Sequence, residues 1–385
     1  MQPDVFAAPF QEDPFPVYER LRRESPVYRE PRYGAWMLTR FEDVRDALLD
    51  HSTFSSAHGP GPMPGPRANL PALAATDPPH HDQLRALVSR AFTPRRVAQT
   101  APRIETLARE LLDALPGPDF DLVPALSVPL PVVVIAEMLG VEPEKRADFR
   151  RWSDAFVGLL ENPPTEALQS AAMELVDYFR ALGAARRSDP RDDLVSALVH
   201  AEIDGQRLSQ EELDGFFIML LVAGNETTTN LISNQLNILA HQPELWRQLR
   251  RDPSLVPAAI EETVRFDCPV QNLGRQTTRA VQVGEVEIPA DQRVIVSYGA
   301  ANRDPAAFEA PDEYRLDRPE SQHMGFGFGV HFCLGVGLAR LEGRVALEAL
   351  LERFPEVQPG AAPARRLHST VIRGFESLPI EAKPL

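Results

Sequence analysis

Cysteine is nearly missing from this chain: Cys268 and Cys333 are the only two in 385 residues. No disulfide framework can staple it, and such sparse use of thiols fits a reducing compartment. Long apolar runs are missing too, none approaching the roughly 18 residues needed to cross a bilayer. The first fifteen residues carry Asp4, Glu12 and Asp13 and lack a basic stretch followed by an apolar one. That argues against a signal peptide or a membrane anchor, so a cytoplasmic protein without membrane contact is expected. Positive charge is in deficit. With a formal net charge of −15, the chain lacks the excess of Lys and Arg that neutralising nucleic-acid phosphates demands. There is also no linker, internal repeat or low-complexity tract. Length alone would suggest two or three domains, but the 37 prolines are scattered, and one large domain over residues 1–385 is expected.

What is present is mostly helical periodicity, with a small β portion. Apolar spacing predicts helices over 13–25, 41–49, 80–92, 97–114, 131–139, 144–160, 165–187 and 192–201. The longest is predicted over 209–241, where Ser209 and Glu212 have the spacing of a capping box. Short strands are expected at 27–28 and 35–39 as a hairpin, then at 275–278, 281–286 and 292–298, with a turn at Ala290-Asp291. A polar, proline-punctuated meander covers 302–319, and 369–372 has strand character. Residues 55–76 are rich in Gly, Pro and Ala without periodicity, as functional or mobile loops are.

Three constellations carry chemistry. The first is F-G-F-G-V-H-F-C-L-G, from Phe326 to Gly335, which sets Cys333 at the end of a glycine-rich loop and before a helical pattern running from about 334 to 351. Gly327, Gly329 and Gly335 would let the backbone turn tightly and approach a flat ligand. The positive end of the helix, aimed at the sulfur, would favour thiolate over thiol, as metal–thiolate chemistry needs. A free cysteine is otherwise most often a small buried hydrophobe, and Cys268 is read that way. The second is A-G-N-E-T-T, from Ala223 to Thr228 in the long helix. Met219, Leu220, Ala223 and Thr227 share one helical face, apolar with a single hydroxyl at its lower end. Gly224 removes bulk, and threonine hydroxyls can bond the preceding turn, so a local widening is expected there. The same stretch also reads as a helix with a polar patch. The third is Glu262 with Arg265, an i, i+3 pair that by itself is ordinarily a solvated surface pair.

In this order, the three motifs resemble those of the cytochrome P-450 superfamily, the haem-thiolate monooxygenases. The resemblance extends from Asp13-Pro14-Phe15 to Arg373-Gly374. It implies the P-450 fold: a triangular, mainly helical prism with short sheets, holding haem b (iron protoporphyrin IX) between the long central helix and the cysteine-loop helix. Cys333 would be the axial ligand of the haem iron, with Phe326 shielding the sulfur and Gly327, Ala223 and Gly224 against the cofactor. Thr227 would hold the iron-bound peroxide derived from dioxygen, the co-substrate, by hydrogen bonding, while Glu226 passes protons inward. Glu262, Arg265 and Arg318 would lock the meander. Two haem propionates need cations, and Asp77-Pro78-Pro79-His80-His81 with Arg85 resembles the family's D-P-P-x-H-x-x-x-R segment. His81, Arg85, Arg275 and His331 would supply them, with His80 a bystander.

The resemblance also implies electrons from NAD(P)H delivered by a separate ferredoxin or flavodoxin with its reductase, since no flavin or iron–sulfur domain is expected in the chain. Arg90, Arg95, Arg96, Arg340 and Arg344 are candidates for a basic docking patch on the thiolate side. The substrate pocket is expected to draw on 55–76, the region 156–168, Phe216, Met219, Leu220, Ala223, residues from Val270 to Leu273, and Val371 within 369–372. Most of these are apolar, so a lipophilic small molecule is expected, with Gln271 or Asn272 orienting one polar group. A monomer is expected. A peroxide-driven relative is the nearest alternative, but relatives of that kind replace the acid–threonine pair kept here as Glu226 and Thr227. A haem sensor or electron carrier would fix two axial ligands, and no His, Met or Lys lies within 223–227.

Overall fold

The computed structural model describes residues 3–63, 73–89, 92–145, 147–149, 151–153, 155, 165–203, 205–319 and 322–383. The helix Gln210–Ala240 begins where the sequence predicts. Ser209 Oγ accepts from the Glu212 amide at 3.2 Å, and the Glu212 carboxylate accepts from the Ser209 amide at 2.7 Å. These reciprocal bonds satisfy two amides that a helix start otherwise leaves unpaired. The helix is buried around most of its circumference because it runs through two apolar clusters. Leu213, Phe217 and Leu221 pack with side chains of the helices Glu166–Ser188 and Leu194–Val199. Ile232, Leu236 and Leu239 pack with those of Pro94–Asp113, Pro243–Arg251 and Val336–Arg353. Between the two halves Ala223 is exposed, which marks where the helix faces a cavity.

Among the described residues the largest sheet has five strands, in the order Val27–Arg29, Trp36–Leu38, Arg293–Ser297, Asn272–Thr277, Phe54–Ser55. The first two form the expected antiparallel hairpin, and Trp36–Leu38 then runs parallel to Arg293–Ser297. Asn272–Thr277 lies antiparallel to Arg293–Ser297, with Arg275 opposite Val294. Leu273 and Arg275 of that strand both reach the cavity.

Several elements differ from expectation. Residues 281–286 are not one strand but the first part of a hairpin, Val281–Val283 with Val286–Ile288, turned at Gly284 with φ 56°. Residues 369–372 contribute only a single bridge, Val270 to Ile372. Ser369 Oγ takes the amides of Val371 and Ile372 at 3.1 Å each, and a ladder would need those donors. The amphipathic helix Pro243–Arg251, which buries Trp246 and Leu249, is an element the periodicity reading passes over. Of the helix expected over 144–160, residues 156–160 lie outside the described residues. Among the described residues no helix is long and apolar enough to cross a membrane.

Candidate active site

The cysteine loop consists of two short 3-10 turns, Met324–Phe326 and Gly329–His331. Gly327 (φ 73°) and Gly329 (φ 65°) are left-handed, and a Cβ on Gly329 would sit 2.8 Å from the Leu48 carbonyl oxygen. Glycine is required at both. Gly335 has φ −87°, so no turn demands glycine there; it lines the cavity, and the space where a Cβ would go is open. The close approach instead falls at Gly325, where a Cβ would meet Val264 Cγ1 at 2.2 Å.

The Cys333 amide donates to the Phe326 carbonyl at 2.8 Å, closing the loop. The helix that follows starts at Val336, not 334, with Gly335 as its N-cap. Burial pushes the Cys333 thiol up, while the Gly335 amide, Arg85 and Arg340 pull the other way without overcoming it. The helix end was expected to favour thiolate; on its own it does not offset burial, and a bound cation would take the proton off.

Cys333 forms one wall of a cavity enclosing about 1430 Å³, its open mouth included. Ala223, Gly224 and Thr227 of the long helix line the same cavity. Arg85, Arg275 and His331 also line it. His81, which does not, is fully buried behind them, its ring 4.5 Å from that of His331. Its Nδ1 faces Asp82 Oδ1 at 2.9 Å. Nε2 of His81 and Nε2 of His331 are buried and have no hydrogen-bond partner among the described residues. Burial first, then the charges of Arg275, His81 and Arg85, bring the His331 pKa down to about 3. Two orphaned imidazole nitrogens beside two guanidiniums suit a flat, apolar group with carboxylates along one edge, since a buried polar atom left unpaired is costly.

Thr227 Oγ1 bonds the Ala223 carbonyl at 2.6 Å, and the helix stays continuous from Gln210 to Ala240. That bond to the preceding turn is the one expected to loosen the helix locally. Glu226 is half-buried and does not line the cavity. Behind this face runs a polar network that sequence reasoning missed: Asn225 Nδ2 to Ser153 Oγ at 3.0 Å, and Thr229 Oγ1 to the Ser127 carbonyl at 3.0 Å. Amide and hydroxyl side chains in an otherwise apolar helix were the available signal.

The Glu262–Arg265 pair is buried, not solvated. Arg265 bonds Glu262 through both Nε and Nη2 at 2.7 Å. Arg318 Nε lies 3.1 and 3.2 Å from the two oxygens of the same carboxylate. The remaining guanidinium donors bond carbonyls of the meander, including those of Asn302, Pro311 and Glu313. Asn302 Oδ1 in turn accepts from the Met324 amide at 2.6 Å, at the head of the cysteine loop.

Of the expected pocket residues, Met219, Leu220, Ala223, Val270 and Leu273 line the cavity. Phe216 does not: it is fully buried in the apolar cluster that also holds Phe179 and Phe217. Val371 does not either, its carbonyl being taken by the Gln271 amide at 2.7 Å. Gln271 and Asn272, expected to orient one polar group, do not line the cavity, although Gln271 Oε1 is buried without a hydrogen-bond partner among the described residues. Gln271 Nε2 bonds the Cys268 carbonyl, and the Asn272 amide bonds Tyr18 and the Thr370 carbonyl. Pro60, Leu73, Phe92 and Ile135 line the cavity as well. Residues 64–72 and 156–164, also expected there, lie outside the described residues, as does Arg90. The basic patch is largely neutralised: Arg96 pairs with Asp192, Arg340 with Glu261 and Arg344 with Glu348, leaving Arg95 exposed.

A family profile described as Cytochrome P450 matches residues 148–382. The chain is 43% identical over 402 aligned residues to Cytochrome P450 107B1 of Saccharopolyspora erythraea, covering 98% of each. It is 40% identical over 375 residues to the erythromycin C-12 hydroxylase of the same organism, covering 94% of this chain and 92% of that protein. Among solved structures, Cytochrome P450 CYP109Q5 from Chondromyces apiculatus matches with a TM-score of 0.92 at 40% identity, over 100% of this chain and 98% of that one.

Proposed function

The chain belongs to the cytochrome P450 family and is a haem-iron monooxygenase, and from that premise we propose that Cys333 is the axial ligand and that the substrate is a bulky lipophilic molecule, hydroxylated or epoxidised. One observation carries the reading: a cavity lined by a cysteine, a threonine, two arginines and an imidazole whose Nε2 is buried and unpartnered, with a second such imidazole packed against the first. Haem supplies, when bound, the iron that activates dioxygen. The residues would do the rest. Arg85 and Arg275 would meet the propionates as charged forks and His331 would donate from Nε2, while His81, whose Nδ1 hydrogen goes to Asp82, would donate from Nε2 only as an imidazolium. Phe326 keeps water from the sulfur. Thr227 Oγ1 spends its own proton on the Ala223 carbonyl, so it offers lone pairs to the cavity and holds a proton delivered there. Glu226, one residue away, is the acid that supplies it.

Apart from Thr227 and Thr228, the described residues on the substrate side of the cavity are apolar. A ligand would be held by exclusion from water more than by hydrogen bonds. The likeness to a hydroxylase named for erythromycin supports a large, mostly apolar substrate. Electrons would come from NAD(P)H through a ferredoxin or flavodoxin with its reductase, to a cytoplasmic, monomeric enzyme folded as one domain. The test is spectroscopic. The reduced holoprotein is expected to give the red-shifted carbon monoxide band of thiolate ligation, and Cys333→Ser to lose it; a wild type without the band overturns the assignment. Titration with a panel of lipophilic compounds, read by the spin-state change, then identifies the substrate class.

A further inference from the structure

Glu261 adjoins Glu262 on the helix Val256–Phe266, but its carboxylate is engaged elsewhere. It takes a two-pronged bond from Arg340, Nε to Oε1 and Nη2 to Oε2, both at 2.7 Å. Oε2 also lies 3.2 Å from His323 Nε2. The Gly325 amide donates to His323 Nδ1 at 3.2 Å, so the ring hydrogen must be on Nε2, aimed at Glu261. Arg340 and His323 come from opposite ends of the cysteine segment, one from the helix after Cys333 and one from the turn before it. Phe326 lies against both. The Arg340 guanidinium is 5.0 Å from its ring centroid, and the His323 ring is 5.8 Å away at 44°. The far side of Phe326 packs on Leu231, Ile260 and Val264, and its carbonyl holds the Cys333 amide.

We propose that Glu261 is a positioning residue for the cysteine ligand: by gripping Arg340 and His323 at once it clamps the Phe326 ring beside Cys333 and keeps water off the sulfur. This rests on Cys333 being the haem ligand. A lone exposed Arg–Glu pair would carry no such role. Here the fork is bidentate, a third partner is almost fully buried, and both cationic and imidazole partners touch the same aromatic ring.

The experiment follows the reduced carbon monoxide complex of the holoprotein in mild denaturant, timing the change from the red-shifted thiolate band to the unshifted form. Glu261→Ala is expected to convert several-fold faster than wild type, with Glu261→Gln in between. Phe326→Leu is also expected to be faster, and the double variant Glu261→Ala/Phe326→Leu no faster than Phe326→Leu alone, because the clamp acts only through that ring. A wild-type rate for Glu261→Ala, or effects that multiply in the double variant, overturns the proposal. Should Glu261→Ala not retain haem, Arg340→Ala, on the exposed side of the same clamp, is expected to show the same acceleration, and a wild-type rate there overturns it too. If the wild type lacks the red-shifted band, the ligand assignment itself has failed, which is a separate result.

Discussion

A single hydroxyl separates productive from wasteful chemistry in the proposed mechanism. Thr227 Oγ1 is anchored on the Ala223 carbonyl at 2.6 Å, so its lone pairs have a fixed direction and its rotor is not free to turn away. Thr227→Ala is expected to leave cofactor binding intact, while peroxide released per NAD(P)H consumed rises several-fold and product falls in step. Thr227→Ser, which keeps the oxygen, is expected to stay near wild type. Stoichiometry of peroxide against product checks both, and unchanged coupling in the alanine variant would move the relay elsewhere. At this scale the sequence was informative where a residue type is chemically scarce. One cysteine in a glycine-rich loop and one threonine on an apolar face could be named from spacing. Ionisation was not legible: the states of Cys333 and His331 depend on burial and on Arg275 and Arg85 gathered from distant segments. Phe216 was misplaced for a similar reason, since sharing a helical face with Met219 does not say where the cavity stops.

Two adjacent glutamates on the helix Val256–Phe266 show how burial decides what an ion pair contributes. Glu261 and Arg340 keep 39% and 45% of their side-chain surface exposed, a setting in which pairs contribute about 0–1 kcal/mol. Glu262 and Arg265 keep 3% and 1%. Glu262→Ala is expected to cost about 3–5 kcal/mol, because Arg265 and Arg318 would remain buried without their counter-charge. Thermal unfolding of the holoprotein, with haem retention followed in parallel, checks this; a loss below 1 kcal/mol would mean that the meander carbonyls alone satisfy both guanidiniums. Elements with their own local signals were legible in the sequence, such as the long helix with its capping box and the strand pairs set by alternation. Those shaped by tertiary demand were not. The pairing at Val270–Ile372 stops at a single bridge because Ser369 consumes the neighbouring amides, and the i, i+3 pair at 262 and 265 looked like surface until the meander closed over it.

Across the whole molecule, Asp267 joins parts of the chain that are remote in sequence. Its carboxylate bonds Arg373 Nε at 2.7 Å and Arg366 Nη2 at 3.1 Å. Arg373 reaches the carbonyls of Gln11 and Glu12, while Asn234 of the long helix bonds the backbone carbonyls of both Asp267 and Arg373. Burial works to raise the Asp267 pKa, but Arg366 and Arg373 outweigh it and hold it at about 2, against 3.8 for a free carboxyl. Because the folded value is the lower one, the contribution is complete above the unfolded pKa and drains away as pH falls through the folded one. The difference corresponds to about 2 kcal/mol at neutral pH, and its loss is confined to the interval from roughly pH 4 down to 2. Asp267→Asn is therefore expected to be less stable than wild type at pH 7, and to lose less further stability than wild type does between pH 4 and 2. Denaturant midpoints across that range check the sign: two curves that stay parallel would place the acid sensitivity in other carboxylates, with Glu261, held at about 2 beside His323 and Arg340, the next to replace.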